Sequence, residues 1–222
     1  GSGLFTDAAS SSLYSCTPDN QVFPMTTTST TYSVTVTNNV PTPIALSHSS
    51  SHTIGAGVSV ACGTGPNSWS RVYDLSTFGL LGPLTITNVS FGLEQSNAAQ
   101  NVTVNLYNHT GAAYPGGTNT LLPGGTVIVA VPATTNANIT ANFAVPPVVP
   151  NTAIVIAEVV VPAGQWWIGA NTAPQTSPSY LKAPVCGAAT PTDIATLGFP
   201  TDHIILDING TTPVANVQSH PT

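Results

Sequence analysis

Chemistry in this chain would have to be built from few residues: three cysteines, five histidines, two glutamates (Glu94 and Glu158) and single copies of arginine (Arg71) and lysine (Lys182). A glycosidase needs two carboxylates facing one bond. Glu94 and Glu158 both sit inside strand-like patterns, where a partner for Arg71 or a sheet-face residue is the simpler role. No Gly-x-Ser-x-Gly elbow, His-Glu-x-x-His motif or glycine-rich loop leading into a lysine is present. The chain is therefore expected not to be an enzyme. His48 and His52 have helical spacing in a Ser/Thr setting that argues against a helix. On a strand they would lie about 13 Å apart, too far to share a metal ion. Asp193, Asp202 and Asp207 lie near one another in sequence but lack a ligand-loop spacing. No metal site and no cofactor are expected, a structural calcium being the one ion for which oxygen ligands are at hand.

Arg71 alternates with Trp69 and Tyr73 on one strand face. A sole arginine so placed is expected to hold the sheets together in an ion pair, with Glu94 as its carboxylate. The aromatic residues Trp69, Trp166, Trp167 and Tyr180 could form a planar platform for sugar rings. Neighbours on a strand point to opposite faces, so only one of Trp166 and Trp167 can join such a platform and the other belongs in the core.

Cys62 opens the region richest in strand signals and Cys186 lies near its end, which suggests that these two are bonded. The competing pair, Cys16 with Cys62, leaves Cys186 odd instead. Either arrangement points to an oxidising compartment. Asn-x-Ser/Thr sequons occur at Asn88, Asn101, Asn108, Asn138 and Asn209, which is what chance gives in a chain this rich in Asn, Ser and Thr.

Two basic and eight acidic side chains leave only 5% of the residues charged, against about 25% in ordinary globular proteins. Two cations cannot neutralise a phosphate backbone, so nucleic-acid binding is excluded. Anionic membrane surfaces are excluded on the same ground, and no apolar run reaches the roughly 18–20 residues of a membrane span. No insertion into a membrane is expected.

The elements that must position these residues are strands. Thr, Val, Ile and Asn punctuated by 19 Gly and 20 Pro read as all-β with many turns. Candidate strands are His52–Val60, Trp69–Leu75, Leu84–Leu93, Asn101–Tyr107, Thr126–Val131, Asn138–Ala144, Thr152–Val161, Gln165–Gly169 and His203–Asn209. Asn101–Leu106 alternates as a sheet with one wet face would. Thr152–Val161 is apolar on both faces, as for a central strand covered on each side. Turns are expected at 63–66, 114–117, 123–125 and 145–147. One helical turn is expected with Thr190 as N-cap, Pro191 in the first position, Asp193 near its positive end and Gly198 after it. The predicted fold is a two-sheet β-sandwich with jelly-roll-like connections over residues 44–212, with a Ser/Thr-rich arm at 1–43 and a tail at 213–222. The arm carries one alternating strand around Tyr32–Thr37, with Tyr32, Val34 and Val36 on one face.

Residues 48–210 also resemble an uncharacterised module that recurs in secreted and cell-surface bacterial proteins. The resemblance rests on His48-Ser49-Ser50-Ser51-His52-Thr53-Ile54, Ser70-Arg71-Val72-Tyr73-Asp74-Leu75 and Val104-Asn105-Leu106-Tyr107. It continues through Ser179-Tyr180-Leu181 before Cys186-Gly187, then Pro191-Thr192-Asp193, Gly198-Phe199-Pro200 and His203. It implies a β-sandwich, secretion and a Cys62–Cys186 bridge, and it carries no assigned activity.

A chain with so few charges and almost no lysine to guard its strand edges tolerates being a subunit better than being a free solute. The function expected is a non-catalytic extracellular structural subunit that assembles into a homo-oligomer or polymer (a filament, sheath or surface layer) by strand donation from the arm. The alternative is a carbohydrate-binding or adhesive module with a polysaccharide partner. Either belongs outside the cell or on its surface.

Overall fold

Alternation of apolar and polar residues runs through most of the chain and is realised as antiparallel ladders. A computed structural model describes residues 41–162 and 164–213. In chain order the strands are β1 (Thr42–Leu46), β2 (Asn67–Asp74), β3 (Leu84–Ser96), β4 (Gln100–Thr110), β5 (Thr118–Val131), β6 (Thr134–Asn142) and β7 (Val148–Val149). They continue with β8 (Ile154–Val161), β9 (Trp166–Ile168), β10 (Ala170–Asn171), β11 (Tyr180–Ala183), β12 (Ala188–Asp193), β13 (His203–Ile204) and β14 (Leu206–Thr212). One sheet has the order β1-β14-β3-β6, with β7 and β9 also paired to β3. The other has the order β12-β11-β2-β8-β4-β5, and β10 pairs with β13 separately. Three 3-10 turns, Leu75–Phe78, Pro184–Cys186 and Ile194–Leu197, are the helical elements among the described residues. The fold is an all-β sandwich of two sheets.

The core fills the space between the sheets. Trp69, Val104, Val155 and Val159 come from one side, and Ile86, Phe91, Leu93 and Ile208 from the other, all almost fully buried. β8 lies between β2 and β4 and shows why a central strand is apolar on both faces. Val155, Ala157, Val159 and Val161 face the core, while Ile156 points outward yet is only 1% exposed. β4 keeps one wet face: Val102, Val104 and Leu106 are buried, and Asn101, Thr103 and Asn105 alternate with them.

Several local expectations are corrected. His52–Val60 forms no strand, because its backbone donors go to other acceptors. Gly57 N–H and Ser59 N–H donate to the Glu94 carboxylate, and Gly55 N–H donates to Ala170 O. Thr42–Leu46 is a strand instead, paired with β14, and Pro43 is tolerated there because β1 lies at a sheet edge. Pro123-Gly124-Gly125 does not end a strand; it forms an irregularity within β5, between Leu121 and Thr126. Gly124 has φ +72, and a Cβ there would meet Val145 O at 2.3 Å. The stretch from Ala188 to Asp193 is a strand, so the helical turn starts later than expected. Its cap is Asp193, whose carboxylate accepts from Ala195 N–H at 2.9 Å, not Thr190. Gly198 closes that turn with φ +98.

Candidate functional site

Strand register sets which side chains meet on the outer face of the β12-β11-β2-β8-β4-β5 sheet. Asp193, Tyr180, Ser70, Glu158, Asn105 and Thr126 are successive cross-strand partners, one from each of the six strands. Thr126 Oγ1 donates to Asn105 Oδ1 at 3.0 Å, and Asn105 Nδ2 donates to Glu158 Oε2 at 3.4 Å. Tyr107, in the neighbouring row, donates its hydroxyl to the same Oε2 at 3.0 Å. Among the described residues Glu158 Oε1 accepts no hydrogen bond. Lys182, paired with Ser68, is exposed on this face two residues beyond Tyr180.

The connection between β4 and β5 places a further ring over the sheet. Tyr114 shares a 2.8 Å hydrogen bond with Ser70 and meets Tyr180 edge-on, with ring centroids 4.8 Å apart and an interplanar angle of 88°. This connection is held by His109, only 4% exposed. Its Nε2 lies 2.8 Å from Ala112 O and its Nδ1 lies 2.7 Å from Asn119 Oδ1. Gly117, at φ +70, fits against Thr110 O and Ala112 O, where a Cβ would come within 2.6 Å of each. Burial pushes the Tyr114 phenol up to about 12, and burial together with the Glu158 charge raises that of Tyr107. Burial, with Asp193 nearby, raises Tyr180 as well. All three hydroxyls are therefore neutral hydrogen-bonding groups at ordinary pH.

A second polar cluster lies between β2, β13 and β14 and is structural. Arg71 is fully buried. Its guanidinium donates to Ile204 O through Nε at 3.0 Å and again through a terminal nitrogen, and to Ser177 O at 3.1 Å. The expected Arg71–Glu94 ion pair is not formed: Glu94 is taken by Gly57 and Ser59, and Arg71 finds main-chain carbonyls instead. Tyr73 donates to Leu206 O, and His48 Nε2 donates to Val72 O at 2.8 Å. Burial lowers the His48 pKa and holds the ring neutral. His52 Nε2 lies 2.7 Å from Asp207 Oδ2 and 3.4 Å from Ser47 Oγ. One nitrogen serves both partners, so the trio cannot relay a proton as a Ser-His-Asp triad does, with the two ring nitrogens divided between serine and aspartate.

The predicted glycan platform is not assembled as expected. Trp69 and Trp166 are fully buried and packed together, ring centroids 5.4 Å apart, with the Trp69 indole N–H donated to Val60 O. Their large apolar rings are core, where inward-facing positions of β2 and β9 put them. Trp167 is half-buried opposite Gln95 in the other sheet, apart from Tyr180. Cys62 and Cys186 form a disulfide. The strand of Tyr32, Val34 and Val36, the third cysteine Cys16 and the tail after 213 lie outside the described residues. Among the described residues, no three His, Cys, Asp or Glu side chains gather as a metal-ligand set, and no helix is long and apolar enough to cross a membrane. Sequence reasoning missed Tyr107 and Tyr114, and placed Glu158 on a sheet face without a part in a site. The available signal was that Glu158 is the first charged residue after Glu94, from Gln95 onward.

No protein-family model matches this chain, and no curated protein matches it. Solved structures similar to part of this chain include two of one clostridial protein. One holds the cysteine protease and lectin-like domains of Cwp84, a surface-layer-associated protein of Clostridium difficile, with 12% identity and a TM-score of 0.44 over 67% of this chain and 32% of that one. The other is a variant of the clostridial cysteine protease Cwp84 after propeptide cleavage, with 12% identity and a TM-score of 0.45 over 67% of this chain and 36% of that one. This chain spans about a third of the length of those chains.

Proposed function

We propose that this chain is a non-catalytic structural module of the cell exterior, and that copies of it associate when the strand around Tyr32–Thr37 of one adds to the free edge of β5 in another. The observation that carries the reading is the character of that edge. Among the described strands β5 pairs only with β4, and from Gln95 to Ala157 the chain has no Asp, Glu, Lys or Arg. Natural sheet edges are usually guarded by charge, proline or cover. Beyond its Pro123 irregularity, β5 presents Thr126–Val131 without charge or proline, and uncovered among the described residues. Val127 and Val129 are half-buried at this margin, while their partners Val104 and Val102 are fully buried. An added strand with an apolar stripe would complete their cover, and Tyr32, Val34 and Val36 supply one over a stretch of matching length. A strand formed by Tyr32–Thr37 would have little stability alone in water and would gain from such an edge. The disulfide supports an oxidising, extracellular setting.

Sedimentation velocity on the full chain tests this. Wild type is expected to form larger species as concentration rises, and the double substitution I128K/A130K, at two exposed positions of the edge, to remain monomeric with an unchanged unfolding midpoint. A wild type that stays monomeric at its solubility limit refutes the reading, as does a variant that assembles normally.

A further inference from the structure

The outer face that carries Tyr107, Tyr114, Tyr180 and Glu158 is more than a satisfied polar surface. We propose that it is a binding site for neutral polysaccharide, with Glu158 Oε1 as its central acceptor and the Tyr180 and Tyr114 rings as its apolar contacts.

Four observations carry this. First, Glu158 is held in place without being used up. Tyr107 and Asn105 both bond to Oε2, which fixes the carboxylate's orientation and leaves Oε1 as an acceptor for a ligand hydroxyl. Second, Tyr114 is brought over the sheet by a connection locked through His109, Asn119 and Gly117, so its position is set before any ligand arrives. Third, the face mixes donors and acceptors: the Lys182 ammonium and the Tyr180 hydroxyl have no hydrogen-bond partner among the described residues, while Glu158 Oε1 accepts none. Sugar hydroxyls both donate and accept, and their C–H faces stack on aromatic rings. Fourth, the polar row crosses six strands, a span of about 24 Å. That length suits a polymer chain and not a single small molecule.

Charge selects among ligand classes. A polyanion would meet Glu158 at the centre of the row, in a chain of net charge −6. A cationic ligand would be repelled by Lys182 even as Glu158 and Asp193 draw it. A neutral polyhydroxyl chain meets neither penalty. The site does not depend on self-association, because its principal groups lie on β8, β11 and the β4–β5 connection and none belongs to Thr126–Val131 except Thr126 at the end of the row.

Affinity electrophoresis tests the proposal with the full chain, loaded at a concentration where sedimentation shows the monomer. The gels contain laminarin, xyloglucan or galactomannan. Wild type is expected to be retarded in at least one of them. Glu158→Gln is expected to weaken that retardation about tenfold or more, since it replaces an ionic acceptor by a neutral one. Tyr180→Ala is expected to lose a similar factor, while Tyr180→Phe, which keeps the ring, retains most of it. Melting temperatures serve as the fold control, and Tyr180 is half-exposed, so its variants should fold. Free migration of wild type in all three gels overturns the proposal. So does retardation that neither Glu158→Gln nor Tyr180→Ala alters. Neither result bears on whether Ile128 and Ala130 mediate assembly.

Discussion

Replacing Arg71 by Met removes the charge at the centre of the sandwich and keeps most of the side chain's length. A buried ion pair can often be exchanged for apolar residues at little cost, provided both partners are exchanged. That escape is closed here, because the acceptors are the main-chain carbonyls of Ile204 and Ser177, which no substitution removes. Each carbonyl stranded away from water costs about 1–3 kcal/mol. Relief of the guanidinium's own desolvation, which already lowers its pKa, offsets a part. Ile204 O keeps a 3.2 Å bond from Ser49 Oγ and Ser177 is only partly buried, so the expected net loss is about 1–3 kcal/mol. For a domain of this size that corresponds to a melting point lower by roughly 2–12 °C. Arg71→Lys should recover only a fraction, since an ammonium lacks the planar fork that reaches both carbonyls. Urea unfolding followed by tryptophan fluorescence measures the change directly: the midpoint should fall while the slope stays constant. A loss below about 1 kcal/mol for Arg71→Met would mean that the carbonyls find water or other donors, and would refute the assignment of Arg71 as the tie between β2 and β13.

Two other outcomes follow from the same structure. Cys62→Ser with Cys186→Ser opens a loop of 124 residues, which should cost about 5 kcal/mol on the chain-entropy account. Equal unfolding midpoints for the oxidised protein and this variant would contradict that. Burial raises the phenol pKa of Tyr73, Tyr107, Tyr114 and Tyr180, that of Tyr114 to about 12. Groups whose folded pKa is raised stabilise the fold fully below the unfolded value, about 10, and lose that contribution as pH rises through the folded value. Stability should therefore decline above about pH 10, with phenolate absorbance at 295 nm appearing late and together with unfolding. Complete tyrosine ionisation at pH 10 in a folded protein would show that these rings are not buried as described.

Patterns that depend on period were legible in the sequence, and pairings that depend on distant partners were not. β4 and β8 can be read directly, one from alternation and the other from being apolar on both faces, and each lies where that pattern requires. β11 and β12 are short, with Pro184 and Gly187 between them and Pro191 inside β12, so they carry too few residues to show a period. The segment from His52 to Val60 has strand-like residues, but a Glu94 carboxylate far along the chain claims its donors. Arg71 could be recognised as a structural cation, yet its acceptors are backbone atoms of residues 177 and 204, which have no side-chain signature. Trp69 and Trp166 illustrate the same limit: aromatic residues mark both platforms and cores, and only the register of β2 and β9 decides between them. Tyr114 sits in a turn motif that predicted a turn correctly and gave no hint that its ring crosses back to Ser70.

The burial of Arg71 also bears on how long such a protein lasts among secreted proteases. Trypsin-like enzymes cut after Arg or Lys, and this chain offers two such sites. One is sealed in the interior. The other, Lys182, lies in β11 between β12 and β2, paired with Ser68 of β2 and placed at the irregularity of the β12 ladder between Leu181 and Ala183. A protease must draw its substrate into an extended groove, so cleavage at either site waits for strands to separate. Persistence in a protease-rich medium is thus a by-product of placing one cation in the core and the other on an internal strand.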